Sequence, residues 1–253
     1  MLDHDTGPES DRASVVRSGP WRVIAPLAAT GFALLVLGLG LGLALIGRHG
    51  GGAIQGWDRT VWQWSIQHRG PLVGLDKVIS TLGDAGLLGP ICVIVTLVAL
   101  AVLRSPVALT PIIGYLGGEG LVYLIRAIIH RPRPLTANYP AHGALPGVHE
   151  TSYSFPSGHS VAVTAVLFAV LGALAIARHW WWPWLAALAV SAFVADSRLL
   201  LGVHWFSDVT IGLALGIAWG TTVAVILARC TWTDLGLRRA AQESSPTPGG
   251  VRD

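Results

Sequence analysis

Charge is what this sequence has least of. Asp, Glu, Lys and Arg make up 12% of its 253 residues, against about 25% in an ordinary soluble domain. Lysine is nearly missing: Lys77 is the only one, so the basic residues are arginines. Hydrophobic residues reach 52% and the mean hydropathy is +0.58. Such a chain has too little polar surface to cover a water-soluble globule, and it reads as a membrane protein. Cysteine is scarce as well. Cys92 and Cys230 offer neither a disulfide framework nor a metal-ligand spacing, and they read as small packing residues near opposite membrane faces. The net charge of +3 is small, and the arginines sit at the ends of apolar runs and inside one motif rather than in a basic tract. No nucleic-acid partner is expected.

Long apolar runs are what the sequence does have. A helix needs roughly 20 apolar residues to cross the hydrocarbon core, and six stretches reach or approach that, at about 22–46, 85–103, 107–129, 158–177, 183–201 and 206–229. The fold expected is all-α: a polytopic membrane protein with a six-transmembrane-helix bundle and an interfacial helix between the first two spans. One domain covers 22–230, after a cytoplasmic N-terminal segment (1–21) and before a flexible cytoplasmic tail (231–253). The polar start and the long first run read as a retained span rather than a signal peptide. Between spans one and two, Trp57, Val61, Trp62, Trp64 and Ile66 alternate with polar residues, the pattern of a helix lying at headgroup depth. Trp180, Trp181, Trp182 and Trp184 read as an aromatic belt. Arg12, Arg17, Arg22, Arg104, Arg178, Arg229, Arg238 and Arg239 fall on one side of this topology, which the positive-inside rule makes cytoplasmic.

Ionisable residues beside a span point to function. With alternating spans, three polar groups meet at the outer face. The first, RAIIHRPRP, spans Arg126 to Pro134. Its prolines prevent helix continuation, and its arginines suit either a phosphate, which guanidinium binds bidentately, or lipid headgroups. The second, SFPSGHS, opens the fourth span. Pro156 suits a first helical turn, Ser157 and Gly158 make a helix N-terminus that favours anions, and His159 lies in the same turn. The third, SRLLLGVHWFSD, carries Arg198, His204 and Asp208. The i, i+4 spacing puts His204 and Asp208 on one face. A carboxylate on one imidazole nitrogen fixes the tautomer and raises the basicity of the other, so His204 is a candidate nucleophile. Glu119 lies mid-span, two turns before Arg126, where it either supports the arginines or sits neutral against another helix. Asp84 and Asp196 lie close by and His130 lies within the first group; all three read as surrounding or surface residues.

RAIIHRPRP, PSGH and SR-x5-H-x3-D, in this order and spacing, resemble the three-part signature of the type 2 phosphatidic acid phosphatase superfamily, which includes bacterial acid phosphatases and vanadium haloperoxidases. The likeness covers about residues 80–230, and STLGDAG at 80–86 also looks like bacterial members. One departure is Arg126, where the signature usually has lysine. The resemblance implies that Arg126, Arg133 and Arg198 grip a phosphate, completed by Ser157 and Gly158; Arg131 and Glu119 are candidate supporting residues by their position alone. It implies that His204 attacks phosphorus, Asp208 orients it, and His159 protonates the leaving oxygen and then activates water. No cofactor and no metal are expected. The expected substrate is a lipid phosphate (undecaprenyl diphosphate, phosphatidic acid or phosphatidylglycerol phosphate). The expected location is the bacterial cytoplasmic membrane with the site facing outward, roofed by loop 131–156 and the 57–67 helix as lids. Three other readings stay open: a transferase with the same intermediate, a vanadate-dependent haloperoxidase, and a non-catalytic lipid binder.

Overall fold

A computed structural model describes residues 21–70, 73–134 and 151–243, and every regular element among them is helical. In chain order these are α1 (Trp21–Leu45), α2 (Gln55–Gln67), α3 (Val73–Leu82), α4 (Ala85–Leu103), α5 (Thr110–Arg126, entered through the 3-10 turn Pro106–Leu109), α6 (Gly158–Arg178), α7 (Trp182–Leu200) and α8 (Phe206–Glu243). Six of them are long and apolar enough to cross a membrane, over Arg22–Leu45, Ala85–Leu103, Pro106–Arg126, Gly158–Arg178, Trp182–Leu200 and Phe206–Thr231. They match the six expected spans, and the protein is a multi-pass membrane protein. Large apolar side chains such as Phe32, Leu97 and Val102 remain exposed on α1 and α4, as lipid-facing surfaces require.

The centre of the bundle is the pairing of α6 with α8. Gly212, Gly216 and Gly220 recur every four residues on one face of α8, the small-residue spacing that lets membrane helices approach closely. A Cβ at Gly216 would lie 2.7 Å from the Val161 carbonyl oxygen, and one at Gly220 would lie 2.4 Å from that of Ala165. At the upper end of this contact the Ser157 N–H donates to the Asp208 carbonyl at 3.1 Å. The N-termini of α6 and α8, which carry the two histidines of interest, are thereby held side by side. Leu121, Ile125, Ile129, Phe155, Val161, Leu215 and Val223 fill the core beneath. At the opposite end, Arg104 and His179 close α4 and α6 in the left-handed conformation, where basic side chains suit the helix C-terminus.

Three expectations need correction. The tail from 231 is not wholly irregular, since α8 runs on to Glu243; helix propensity in the LRRAAQE stretch carries it past the last apolar turn. The interfacial segment is real as a helix, but only part of it faces outward. Trp57 and Trp64 are exposed, whereas Asp58, Trp62 and Ser65 are buried, and Trp62 Nε1 donates to the Gly202 carbonyl at 3.0 Å. Finally, α3 had no counterpart in the sequence reading. In the tryptophan belt, Trp180, Trp181 and Trp182 are exposed, while Trp184 packs on Phe168 with ring centroids 5.8 Å apart. The 1–20 segment, most of the expected 131–156 lid (135–150) and the end of the tail (244–253) lie outside the described residues.

Candidate active site

The last turn of α5, the extended strand of chain after it, the start of α6, the end of α7 and the turn into α8 converge at one end of the bundle. Gly202 makes the α7–α8 turn at φ 77°, in the region where glycine carries no steric penalty. His204 follows it and is buried.

Arg133 faces His204 directly. Its Nη1 lies 2.9 Å from His204 Nε2 and donates to the Val203 carbonyl at 3.0 Å. Its Nε donates to the Ser152 carbonyl at 2.7 Å and its Nη2 to Ser152 Oγ at 2.9 Å. A guanidinium can only donate, so Nε2 must be the acceptor and carry the lone pair. The proton then belongs on Nδ1, which faces Asp208 Oδ2 at 3.4 Å. Burial comes first, followed by the charges of Arg133, Arg198 and Arg126 and by His159, in holding the His204 pKa well below the ordinary 6.5. The ring is therefore neutral at pH 7, with its lone-pair nitrogen turned toward Arg133.

Arg126 donates to the Pro156 carbonyl through Nε (3.2 Å) and Nη2 (2.8 Å), and to Ser152 Oγ through Nη1 at 3.1 Å. The Cα of Gly158 sits beside it, so that a Cβ there would lie 3.6 Å from Arg126 Nη2. Gly158 is the first residue of α6, and its N–H belongs to the turn that has no intrahelical acceptor. Ser157 is differently placed from the expected cradle. Its N–H is taken by Asp208, and its hydroxyl caps α6 by accepting from the Ser160 N–H (3.4 Å) and pairs with Ser160 Oγ (3.0 Å). Arg198 Nη1 donates to Ser80 Oγ, and His159 Nε2 donates to the Ser80 carbonyl at 3.0 Å. Ser80, on α3, thus touches two site residues at once.

Arg131 points away from this cluster. It is fully buried, with Nη1 on Asp208 Oδ1 and Nη2 on Asp58 Oδ2, both at 2.6 Å, and its guanidinium stacks 5.3 Å from the Trp205 ring centroid. These contacts bind α2 to the bundle as a wall of the site, not the lid expected. Glu119 is half-buried on α5 and makes no hydrogen bond or ion pair among the described residues, but its charge acts on that of Arg126, one of the arginines of the cluster. Asp84 caps α4, accepting from the Gly86 N–H at 2.8 Å. His130 stacks on Tyr153 with centroids 4.5 Å apart. Asp58 and Ser152 are site residues that no motif marked, and Ser80, although it opens STLGDAG, carried no expected role. Each acts across more than fifteen residues of chain, so no local spacing marks it.

Comparison with known proteins gives the family and the fold. The PAP2 superfamily model matches residues 107–232, which contain all three motifs, and the chain belongs to that superfamily. It is 38% identical over 77 residues to "Phosphatidylglycerophosphatase B" of Bacillus subtilis (strain 168), covering 28% of this chain and 38% of the relative. It is 35% identical over 105 residues to "Decaprenylphosphoryl-5-phosphoribose phosphatase" of Mycobacterium tuberculosis, covering 42% of this chain and 52% of the relative. The matches thus span between 38% and 52% of these curated relatives. The crystal structure of a transmembrane PAP2 type phosphatidylglycerolphosphate phosphatase from Bacillus subtilis superposes with a TM-score of 0.60 at 22% identity, covering 87% of this chain and 98% of that one. This last likeness is one of fold.

Proposed function

We propose that this chain is a metal-independent lipid phosphatase that works through a phosphohistidine on His204. The observation that carries the reading is the buried His204 whose lone-pair nitrogen faces Arg133, 2.9 Å away, with Asp208 behind the other nitrogen. A phosphate drawn into the arginines would meet that nitrogen. Nε2 attacks phosphorus, the bond from phosphorus to the lipid oxygen breaks, and the leaving oxygen takes a proton from His159, which enters the step protonated on both ring nitrogens beside the bound phosphate and leaves it neutral. His159 then takes a proton from water, whose oxygen attacks phosphorus as the P–N bond breaks, giving inorganic phosphate. Arginines and the α6 N-terminus stabilise the charge that builds on the equatorial oxygens, where most phosphoryl-transfer catalysis resides.

The lipid part of the reading rests on a second feature. An apolar cavity of about 430 Å³ lies between α3, α4, α6 and α7, lined by Ile79, Gly83, Leu88, Val163, Val190 and Phe193. Its wall touches the site, since a Cβ at Gly83 would come 2.9 Å from His159 Cδ2. Val190 and Phe193 are exposed on the bundle's outer surface. A lipid tail can therefore lie in the groove while its phosphate reaches His204. The two curated relatives named above act, by their names, on a glycerophospholipid and on a polyprenyl-linked sugar phosphate, which share a phosphomonoester on a membrane-anchored alcohol. With Arg104 and Arg178 in the turns at the far end, the positive-inside rule puts the site on the extracytoplasmic side.

The test is phosphate release by purified protein in EDTA from phosphatidylglycerol phosphate, phosphatidic acid, undecaprenyl diphosphate and a short water-soluble phosphate ester. Release from at least one lipid is expected to survive EDTA. Filling the groove with Val190→Trp is expected to lower turnover of that lipid about tenfold, because displacing two methylenes costs about 1.6 kcal/mol. The soluble ester should be untouched. Equal effects on both substrates would remove the groove from the account.

A further inference from the structure

We propose that Asp58, on α2, is a positioning residue for the reaction, holding Asp208 behind His204 through Arg131 and restoring the negative charge that Arg131 would otherwise cancel. This rests on the reading of His204 as the nucleophile. Asp58, Arg131 and Asp208 are all fully buried. Asp58 Oδ2 accepts from Arg131 Nη2 at 2.6 Å and from Ser207 Oγ at 2.7 Å, and Oδ1 accepts from the Ser207 N–H at 2.8 Å. Arg131 Nη1 in turn donates to Ser207 Oγ at 2.8 Å and to Asp208 Oδ1 at 2.6 Å, and Nη2 also donates to Gln55 Oε1 at 3.1 Å. The Trp205 N–H donates to Asp208 Oδ2 at 3.0 Å. Both Asp208 oxygens are therefore held, one of them through Arg131 from α2.

Charge makes this more than a brace. His204 gains positive charge as Nε2 bonds phosphorus, and a negative neighbour favours that step. Arg131 and Asp208 alone would sum to zero. With Asp58 the three sum to −1, and Asp208 acts on the imidazole at full strength. The other charged or titratable groups acting on His204 (Arg133, Arg198, Arg126 and His159) oppose its protonation, so Asp58 is a counterweight that packing alone would not supply. Its carboxylate also sits at the N-terminus of α8, where negative charge is favoured by the helix dipole.

The experiment compares purified full-length wild type, Asp58→Asn, Arg131→Gln and the double variant on one substrate, so that substrate ionisation cancels. Asp58→Asn keeps the shape and loses the charge. It is expected to lower kcat about tenfold with KM changed less than about threefold, and to move the acid limb of kcat/KM to lower pH by about one unit, because removing a negative charge makes His204 less basic. Arg131→Gln should move the limb the other way. The double variant returns the net charge to −1 and should bring the limb back toward wild type. A kcat and acid limb unchanged in Asp58→Asn would overturn the proposal. So would a double variant whose limb stays displaced to lower pH as far as in Asp58→Asn. If Asp58→Asn does not fold, Arg131→Gln and the double variant still decide the sign. His204→Ala, run alongside, separates the two ideas: activity surviving there overturns the nucleophile itself, whereas a dead His204→Ala with a normal Asp58→Asn overturns Asp58 alone.

Discussion

Replacing His204 by alanine is expected to cut turnover of every substrate, lipid or soluble, by on the order of 10⁴-fold or more, the scale on which losing a nucleophile acts. The reason is geometric. The lone-pair nitrogen of His204 is aimed at Arg133, which cannot be the hydrogen-bond acceptor in that contact. Removing the ring leaves Arg126, Arg133 and Arg198 able to bind phosphate with nothing to attack it. Substrate affinity should therefore survive while kcat disappears. The variant also leaves Asp208 with its bonds from Arg131 and Trp205, so the fold should persist; an unchanged thermal midpoint in detergent checks this.

His159→Ala carries the second largest expected effect, with a different signature. Loss of a general acid and base typically costs about 10²–10⁴-fold. The acid role matters only when the leaving oxygen needs a proton. Turnover of a lipid alkyl phosphate should fall by the upper part of that range, whereas an aryl phosphate with an acidic leaving group should lose much less in the first step. Its second step still lacks the base that activates water, so phosphoenzyme should accumulate. An equal loss on both substrates in the rate of phosphoenzyme formation would place His159 in binding rather than proton transfer.

The bundle and the three motifs were legible because their signals are local. Six apolar runs mark six spans, and the members of His204–Asp208 and of Ser157–Gly158–His159 are neighbours in sequence, although His204 sits in the turn before α8 rather than on its face. What escaped was whatever depends on contacts between distant segments. Asp58 reaches Ser207 across 149 residues and Ser80 reaches Arg198 across 118. In sequence each is only a polar residue on a short amphipathic helix. Trp62 read as a membrane anchor because its neighbours Trp57 and Trp64 are anchors, yet its place on the helix turns it inward. Arg131 and Arg133 are two residues apart on either side of Pro132, yet they reach different partners. Arg133 goes to His204 and Arg131 to the carboxylates, a division that a count of arginines does not contain.

The most direct test of the account is to look for the covalent intermediate. Purified His159→Ala would be mixed with a ³²P-labelled substrate bearing a good leaving group, quenched in alkali, digested and mapped by mass spectrometry. The account predicts label that is stable in alkali and lost in acid, as expected of a phosphoramidate, on the peptide holding His204 and absent when His204 is also replaced by alanine. Label on another residue, or none while the protein still turns over, would contradict it.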